Sequence, residues 1–124
     1  MTSHRLLFAS LLLCSSMLPA LWPSWVGARP EQARPGETYY SDDYVEQGGV
    51  RDLAGEKNFE EVYQFYRYYE AIYDEAGRVK SFKEFVRGEL VRSESYRYDT
   101  GGGLMEKRVS RPGAPDEVTR PGTK

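Results

Sequence analysis

Histidine and cysteine, which often act in catalysis or bind metals, are scarce in this chain and lie near its start. The chain has one His (His4) and one Cys (Cys14), and both precede residue 28. Histidine is the commonest general base, and histidine and cysteine are the usual ligands of structural zinc. Removal of the first 28 residues would exclude Ser-His-Asp and Cys-His catalysis and metal sites ligated by His or Cys. We therefore predict that the protein is not an enzyme and has no cofactor.

Carboxylates are the remaining groups that could do chemistry. Asp42-Asp43 lacks the alternating ligands of a calcium-binding EF-hand loop. A pair of carboxylates could hydrolyse a glycosidic bond, and Glu84 and Glu94 would be the residues to test. However, a chain of this length can bury only a small core, which leaves little room for a substrate cleft. A carboxylate-only hydrolase is therefore an alternative that the sequence does not favour.

The first 28 residues have the pattern of a secretory signal peptide. An Arg is followed by an apolar run from Leu6 to Leu13, then by Pro and Ser, and Val26-Gly27-Ala28 provides the small residues before a cut. The run is short for a bilayer span, which favours cleavage after Ala28 over a retained anchor. Cys14 follows Leu13 instead of a small residue, so lipidation of Cys14 is the less favoured alternative. The predicted location is secreted or periplasmic, with no integral membrane span after cleavage.

Charge and composition divide the rest of the chain. Residues 29–61 contain four basic and nine acidic residues, whereas residues 78–111 contain nine basic and five acidic ones. The formal net charge of −2 is typical of a protein that does not bind nucleic acid. Pro, Gly and the lack of a sustained apolar period predict a flexible acidic arm over 29–58 and a disordered tail over 111–124. The structured domain is predicted over 59–110.

Two short stretches predict how that domain folds. YDEAGRV and YDTGGGL share the pattern Tyr-Asp-x-x-Gly-x-aliphatic. An Asp that accepts backbone hydrogen bonds, followed by a Gly with positive φ, is typical of a hairpin turn. The predicted fold is mainly β, a small antiparallel meander of two repeated hairpins with flexible termini, and its strands lie near 59–73, 78–86, 90–98 and 103–110. The predicted structural turn residues are Asp74, Gly77, Gly88, Asp99 and Gly102.

The first predicted strand leaves an alternative open. Phe59, Val62 and Tyr66 recur at helical spacing, Asn58 is a suitable N-cap, and Glu61 lies three residues after it. The many Tyr residues favour a strand instead. The alternative fold is one helix packed on a three-stranded sheet.

The same residues carry a family resemblance. Tyr73-Asp74-x-x-Gly77 and Tyr98-Asp99-x-x-Gly102 resemble the YD repeat of RHS-type surface and toxin proteins. Phe85-x-x-Gly88 between them is similar to the MORN-like repeats of some bacterial antitoxin-family proteins. The resemblance covers residues 63–110, and both families are arrays of β-hairpins. It implies a non-catalytic β scaffold that binds carbohydrate or protein.

Tyrosine is the main source of candidate binding residues. All ten Tyr follow residue 28. Aromatic side chains fill small β cores, but strand alternation sends neighbours such as Tyr68 and Tyr69 to opposite faces, where one ring can stay exposed. Basic residues interleave with Glu on the same strands and form either solvated pairs or an anion-binding patch. The candidate ligand-binding residues are Tyr66, Tyr68, Tyr96, Tyr98, Arg92 and Arg97.

These observations predict a secreted or periplasmic binding module that uses Tyr-rich hairpins. The predicted partner is an envelope glycan or an envelope protein. A structural or assembly protein that pairs through an exposed sheet edge is the alternative, and a homo-oligomer would then form.

Overall fold

A computed structural model describes residue 30 and residues 33–121, and the predicted signal peptide with Cys14 lies outside these residues. The described part contains eight strands and one short helix. In chain order the elements are β1 (Thr38–Ser41), β2 (Tyr44–Gln47), β3 (Val50–Leu53), α1 (Phe59–Val62), β4 (Arg67–Tyr73), β5 (Val79–Val86), β6 (Glu89–Tyr98), β7 (Leu104–Ser110) and β8 (Glu117–Thr119).

Six strands form one antiparallel sheet, and two form a separate hairpin. The order in the sheet is β1-β4-β5-β6-β7-β8, so β4 to β7 are a meander of sequential neighbours. The β2–β3 hairpin packs against β4 and β5 through β3 and through Tyr44 of β2. The prediction of a mainly β antiparallel meander is confirmed. No helix in the part of the chain described here is long and apolar enough to cross a membrane.

The first Y-D-x-x-G turn closes through a fixed set of hydrogen bonds. The Asp74 backbone N–H donates to the Arg78 carbonyl at 2.8 Å, and the Gly77 N–H donates to the Asp74 carbonyl at 3.0 Å. The Asp74 Oδ1 accepts from the N–H groups of Ala76 and Arg78, each at 2.9 Å. Gly77 has φ of 75°, a conformation that favours glycine.

The second turn repeats this set bond for bond. Asp99 N–H donates to the Gly103 carbonyl at 2.9 Å, and Gly102 N–H donates to the Asp99 carbonyl at 3.1 Å. The Asp99 Oδ1 accepts from Gly101 and Gly103, each at 2.9 Å. Gly102 has φ of 86°. The two stretches are therefore one structural unit used twice.

Each copy also has a β-bulge directly after its turn. The register of β4–β5 shifts so that Lys80 has no opposite residue in that ladder, and the register of β6–β7 shifts at Met105 in the same way. Between the two copies, Arg87 and Gly88 form a two-residue turn with φ of 52° and 77°. Positive φ at both positions is the type I′ geometry that suits the twist of a hairpin.

The prediction of a strand over 59–73 is correct only from Arg67 onwards. Residues 59–62 form α1, because Asn58 Oδ1 accepts from the Glu61 N–H at 2.9 Å while the Glu61 side chain accepts from the Asn58 N–H at 3.3 Å. This reciprocal capping box stabilises the first helical turn. Val62 is fully buried and anchors α1.

The prediction of a flexible arm over 29–58 is wrong for the segment that forms β1 to β3. Leu53 is buried in the core cluster, and Tyr39 and Tyr44 pack against that cluster. Their rings meet core rings edge on, with centroids 5.8 Å apart for Tyr39–Tyr73 and 4.8 Å apart for Tyr44–Tyr69. These aromatic contacts offset the entropy that the segment loses when it becomes ordered. The composition of the segment does not reveal them. The predicted disordered tail is also wrong at 117–119, which form β8.

The core lies between the β2–β3 hairpin and one face of the sheet, which we call the inner face. Its buried residues are Leu53, Tyr69, Ala71, Tyr73, Val79, Phe82 and Tyr96. Two tyrosine hydroxyls tie the hairpin to this face. Tyr73 donates to Asp52 Oδ1 at 2.6 Å, and Tyr96 accepts from the Arg51 N–H at 3.0 Å.

A fully buried carboxylate extends the core at one end. Glu94 lies 3.0 Å from Arg92 Nη2 and 3.1 Å from Lys107 Nζ. Arg51 of the hairpin approaches with Nε 3.2 Å from Glu94 Oε2, an ionic contact without the angle of a hydrogen bond. Arg51 also contacts Glu84 at 3.7 Å. We call these five residues the Glu94 cluster.

The cluster keeps Glu94 ionised. Burial alone would raise the pKa of this carboxyl group, but hydrogen bonds and Coulomb attraction from Arg92 and Lys107 outweigh it and lower the pKa below its usual value. The favourable interaction therefore exists above the unfolded-state pKa of about 4.3 and is lost as the pH falls through the folded-state pKa.

Replacement of Glu94 tests this interaction. Glu94→Ala leaves three cations without their buried partner and is expected to lower the free energy of unfolding by roughly 3 kcal/mol at neutral pH. The difference from the wild type should shrink as the pH falls below about 4, because the wild-type carboxylate then takes up a proton. Urea unfolding at several pH values measures both effects. Glu89→Ala, at an exposed position, is the control and should change little. A difference that does not depend on pH would contradict the ionic role.

The repeated turn provides a second test. Gly102→Ala puts a side chain at a φ of 86° and should cost about 1–2 kcal/mol of stability. Gly101 is the matched control in the same loop, because its φ lies outside the left-handed region. Gly101→Ala should be close to neutral in the same unfolding measurement. Equal losses for both variants would contradict the turn geometry.

Candidate ligand-binding surface

The structure separates the predicted binding residues into buried and exposed groups. Tyr68 is buried and stacks on Phe85 with ring centroids 5.0 Å apart and planes at 9°. Tyr96 is buried on the inner face, and burial raises its pKa. Both rings are buried, so the structure does not place Tyr68 and Tyr96 on an accessible surface, and their role in ligand binding stays a prediction.

Tyr98 is half-buried and serves mainly to hold the first turn. Its hydroxyl donates to the Val79 carbonyl at 2.6 Å, and the Arg78 guanidinium lies 4.6 Å from its ring centroid. Burial, together with the nearby Asp74 charge, raises the pKa of Tyr98 to about 12. Tyr98 therefore stays protonated and structural at physiological pH.

The two predicted arginines have different roles. Arg92 is partly buried and belongs to the Glu94 cluster on the inner face, so its described contacts are structural and ligand binding by Arg92 stays a prediction. Arg97 lies on the opposite, outer face, where its exposed guanidinium contacts Glu106 at 3.3 Å. Strand alternation explains the difference, since Arg92 shares a face with Glu94 and Tyr96 while Arg97 does not.

The exposed aromatic residues are concentrated elsewhere, in α1 and the turn that follows it. Between 42% and 61% of each of the four side chains is exposed. Tyr66 is the one predicted binding residue among them. We call this segment the aromatic turn, and its exposed residues are Phe59, Tyr63, Phe65 and Tyr66.

The rings of the aromatic turn are held in place by neighbours. Phe59 and Tyr63 stack with centroids 5.9 Å apart, four residues apart along one helical turn. Tyr40 of β1 packs against Phe59 at 5.3 Å. The rings are therefore fixed by contacts within the protein although much of their surface faces water.

Two cations border the same surface. The Lys57 ammonium lies 5.6 Å from the Phe65 ring centroid, and the Arg87 guanidinium lies 5.2 Å from that of Tyr66. The Arg87 N–H also donates to the Tyr66 carbonyl at 2.8 Å, which fixes the β5–β6 turn to the aromatic turn. Cation–π contacts of this kind orient both partners.

Among the described carboxyl groups, Asp74 and Glu94 have a clearly shifted pKa, and both shifts are downward, opposite to what a general acid needs. No three His, Cys, Asp or Glu side chains come together for a metal ion in the stretches that the structure covers.

Sequence reasoning missed three of the four exposed rings, although a signal was present. Val62 is the one aliphatic residue between Lys57 and Tyr66, so a helical turn here can bury one side chain and must leave the aromatic ones outside. The prediction of a strand over 59–73 did not take this helical pattern into account.

Comparisons with known proteins found no match: no family model fits the chain, and neither curated proteins nor solved structures include a similar one. The resemblance to YD and MORN-like repeats stays a prediction. Function is therefore inferred from the protein's own surfaces.

The distinction between structural and exposed tyrosines can be measured. Tyr68→Ala should lower the free energy of unfolding by roughly 3 kcal/mol, because it removes a buried ring from its stack with Phe85. Tyr63→Ala and Tyr66→Ala should each cost less than about 1 kcal/mol. Urea unfolding of the three variants decides the matter. A large loss at Tyr63 or Tyr66 would mean that these rings are held for stability and not left free for a ligand.

Proposed function

We propose that the protein is a non-catalytic binding module that acts outside the cytoplasm and binds a glycan through the aromatic turn. The observation that carries this proposal is the exposure of four aromatic rings within eight residues, each ordered by contacts inside the protein. Exposed apolar patches of this kind mark interaction sites. The predicted signal peptide supports the location.

A glycan suits the chemistry of this surface. The faces of aromatic rings carry partial negative charge and attract the C–H faces of sugar rings. Hydrogen-bonding side chains lie among the rings to meet sugar hydroxyls, including Glu60, Gln64 and Arg87. The rings are preordered, so a ligand does not have to supply the entropy of fixing them.

A second candidate function is assembly through the sheet edge. The exposed strand β8 pairs with β7 on one side, and no strand pairs with its other side within the described residues. The edge at β1 differs, because the Lys57 N–H donates to the Tyr40 carbonyl there at 2.8 Å. An open edge such as that of β8 can add a strand from a second copy of the chain.

Removal of the exposed rings tests the proposed function. We expect a glycan screen followed by calorimetry to find a ligand whose affinity falls at least tenfold in Phe59→Ala/Tyr63→Ala, about 1.4 kcal/mol. Phe65→Ala/Tyr66→Ala should weaken the same ligand. Val118→Ala is the control, because it removes an exposed apolar side chain on β8, away from the aromatic turn.

The outcomes separate the candidates. Unchanged affinity in both double variants that remain folded by circular dichroism would overturn the role of the aromatic turn. Binding of peptides but not of glycans would assign the surface to a protein partner. Light scattering that shows a concentration-dependent oligomer, lost in Val118→Pro, would favour assembly.

A further inference from the structure

The two β-bulges that follow the repeated turns place their extra residues beside one groove. Lys80 follows the first repeated turn, Met105 follows the second, and both line a groove of about 840 Å³. Arg97 lies between them in the lining, and Pro35 and Gly36 form part of another wall. Bulges often re-aim side chains next to functional sites. Both copies of the repeated unit therefore contribute to the same concavity.

The lining of the groove has three basic and two acidic side chains, a formal excess of one positive charge. Its charged side chains are Asp74, Glu75, Arg78, Lys80 and Arg97. Asp74 and Arg78 neutralise each other, with Asp74 Oδ2 3.0 Å from Arg78 Nε. Lys80 is exposed, and no ion pair to it is seen among the residues that the structure describes. Glu75 remains as the one opposing charge.

Arg97 does have a carboxylate partner, but that partner is shared. Glu106 lies 3.3 Å from Arg97, 3.4 Å from Arg108 and 3.9 Å from Arg120. One largely buried carboxylate thus faces three exposed guanidinium groups, of which Arg108 also meets Asp116. Guanidinium groups bind carboxylate and phosphate oxygens in pairs, so Arg97 retains donors for an anion.

The groove reaches the outer face through Arg97, and the aromatic turn lies beside that face at the other end of β5. Arg97 is on the outer face, and so is Tyr40, which packs on Phe59 and is paired across the ladder with Glu70. From Lys80 to Val86 the strand spans six residues, about 20 Å at 3.3 Å per residue. A single sugar cannot reach both places, but a chain of several sugars can.

Small polar residues line the path between them. On the outer face Ser81 is opposite Ser95, and Lys83 is opposite Ser93. The serines are small and offer hydroxyl groups, and the Lys83 ammonium lies 3.8 Å from Glu70 Oε1. A linear polymer along this face would pass these residues and then Phe85, which stacks on Tyr68.

We propose that the groove binds an acidic group of the glycan, so that the ligand is a linear anionic glycan that spans the outer face. This inference rests on the proposed function, since the aromatic turn supplies the other end of the site. The acidic group is an oxyanion, either the carboxylate of a uronic acid or a phosphate.

The test compares acidic and neutral glycans of equal length. Calorimetry with the purified protein uses neutral, uronic-acid and phosphate-bearing oligosaccharides, each as a disaccharide and as a hexasaccharide. We expect the acidic hexasaccharide to bind about tenfold more tightly than the neutral one, with the preference reduced by added salt. The uronic-acid and phosphate arms identify which oxyanion is bound. The disaccharides should lose most of the affinity.

Single variants assign that preference to the groove. Lys80→Ala and Arg97→Ala should each weaken the acidic hexasaccharide by about threefold to tenfold and leave the neutral one unchanged. Glu75→Gln, which removes the opposing charge, should strengthen acidic binding. Arg111→Ala is the matched control, because it removes an exposed cation outside the groove.

Two results would overturn the inference. Equal affinities for acidic and neutral chains, or acidic binding that is unaffected in both groove variants, would show that the groove binds no anion. If neutral glycans still bound and lost affinity in Phe59→Ala/Tyr63→Ala, the proposed function would stand. If no glycan bound the wild type, the proposed function and this inference would both fail.

Discussion

The buried charge of Glu94 is the constraint on which the rest of the structure depends. Burial of a carboxylate away from water costs free energy unless cations surround it. Here the cations come from separate strands: Arg51 in β3, Arg92 in β6 and Lys107 in β7. Apolar burial alone is non-directional and would allow the β2–β3 hairpin to settle in several positions. The contact of Arg51 with Glu94, together with the hydrogen bonds of Tyr73 and Tyr96 to the hairpin, selects one of them. We interpret the cluster as the element that fixes the hairpin over the core of this small domain.

Much of the meander could be predicted because its signals are local. Asp and Gly at fixed positions determine both repeated turns through bonds within five residues, and these turns delimit β4 to β7. The segment 59–66 was predicted to be a strand, although the sequence shows its capping box. That prediction relied on the preference of Tyr for strands, which depends on the tertiary context. The arm was missed for another reason. Its strands are four residues long, and their burial comes from contacts with β4 and β5 that composition cannot show.

The candidate site was predictable by residue type more than by position. Tyr and Arg do occur on the candidate surfaces, but the sequence does not show which rings the hairpin and α1 cover. Alternation along β6 was available to separate Arg92 from Arg97, since Glu94 and Tyr96 lie on the same side as Arg92. The bulges at Lys80 and Met105 had no signal beyond their position after a repeated turn. Long-range packing therefore determines which of these side chains are exposed.

The order of pairing in the sheet has a consequence for how the chain folds. Strands β4 to β7 pair with their sequence neighbours, so their contacts are local and can form early. Strand β1 pairs with β4 and is separated from it by the β2–β3 hairpin and α1. During synthesis β1 leaves the ribosome before β4 does, so β1 remains unpaired until β4 has been made. The acidic residues around it, including Glu37 and Asp42-Asp43, favour hydration of an unpaired segment, so a composition that suggested disorder also suits a strand that pairs only after β4 has been made.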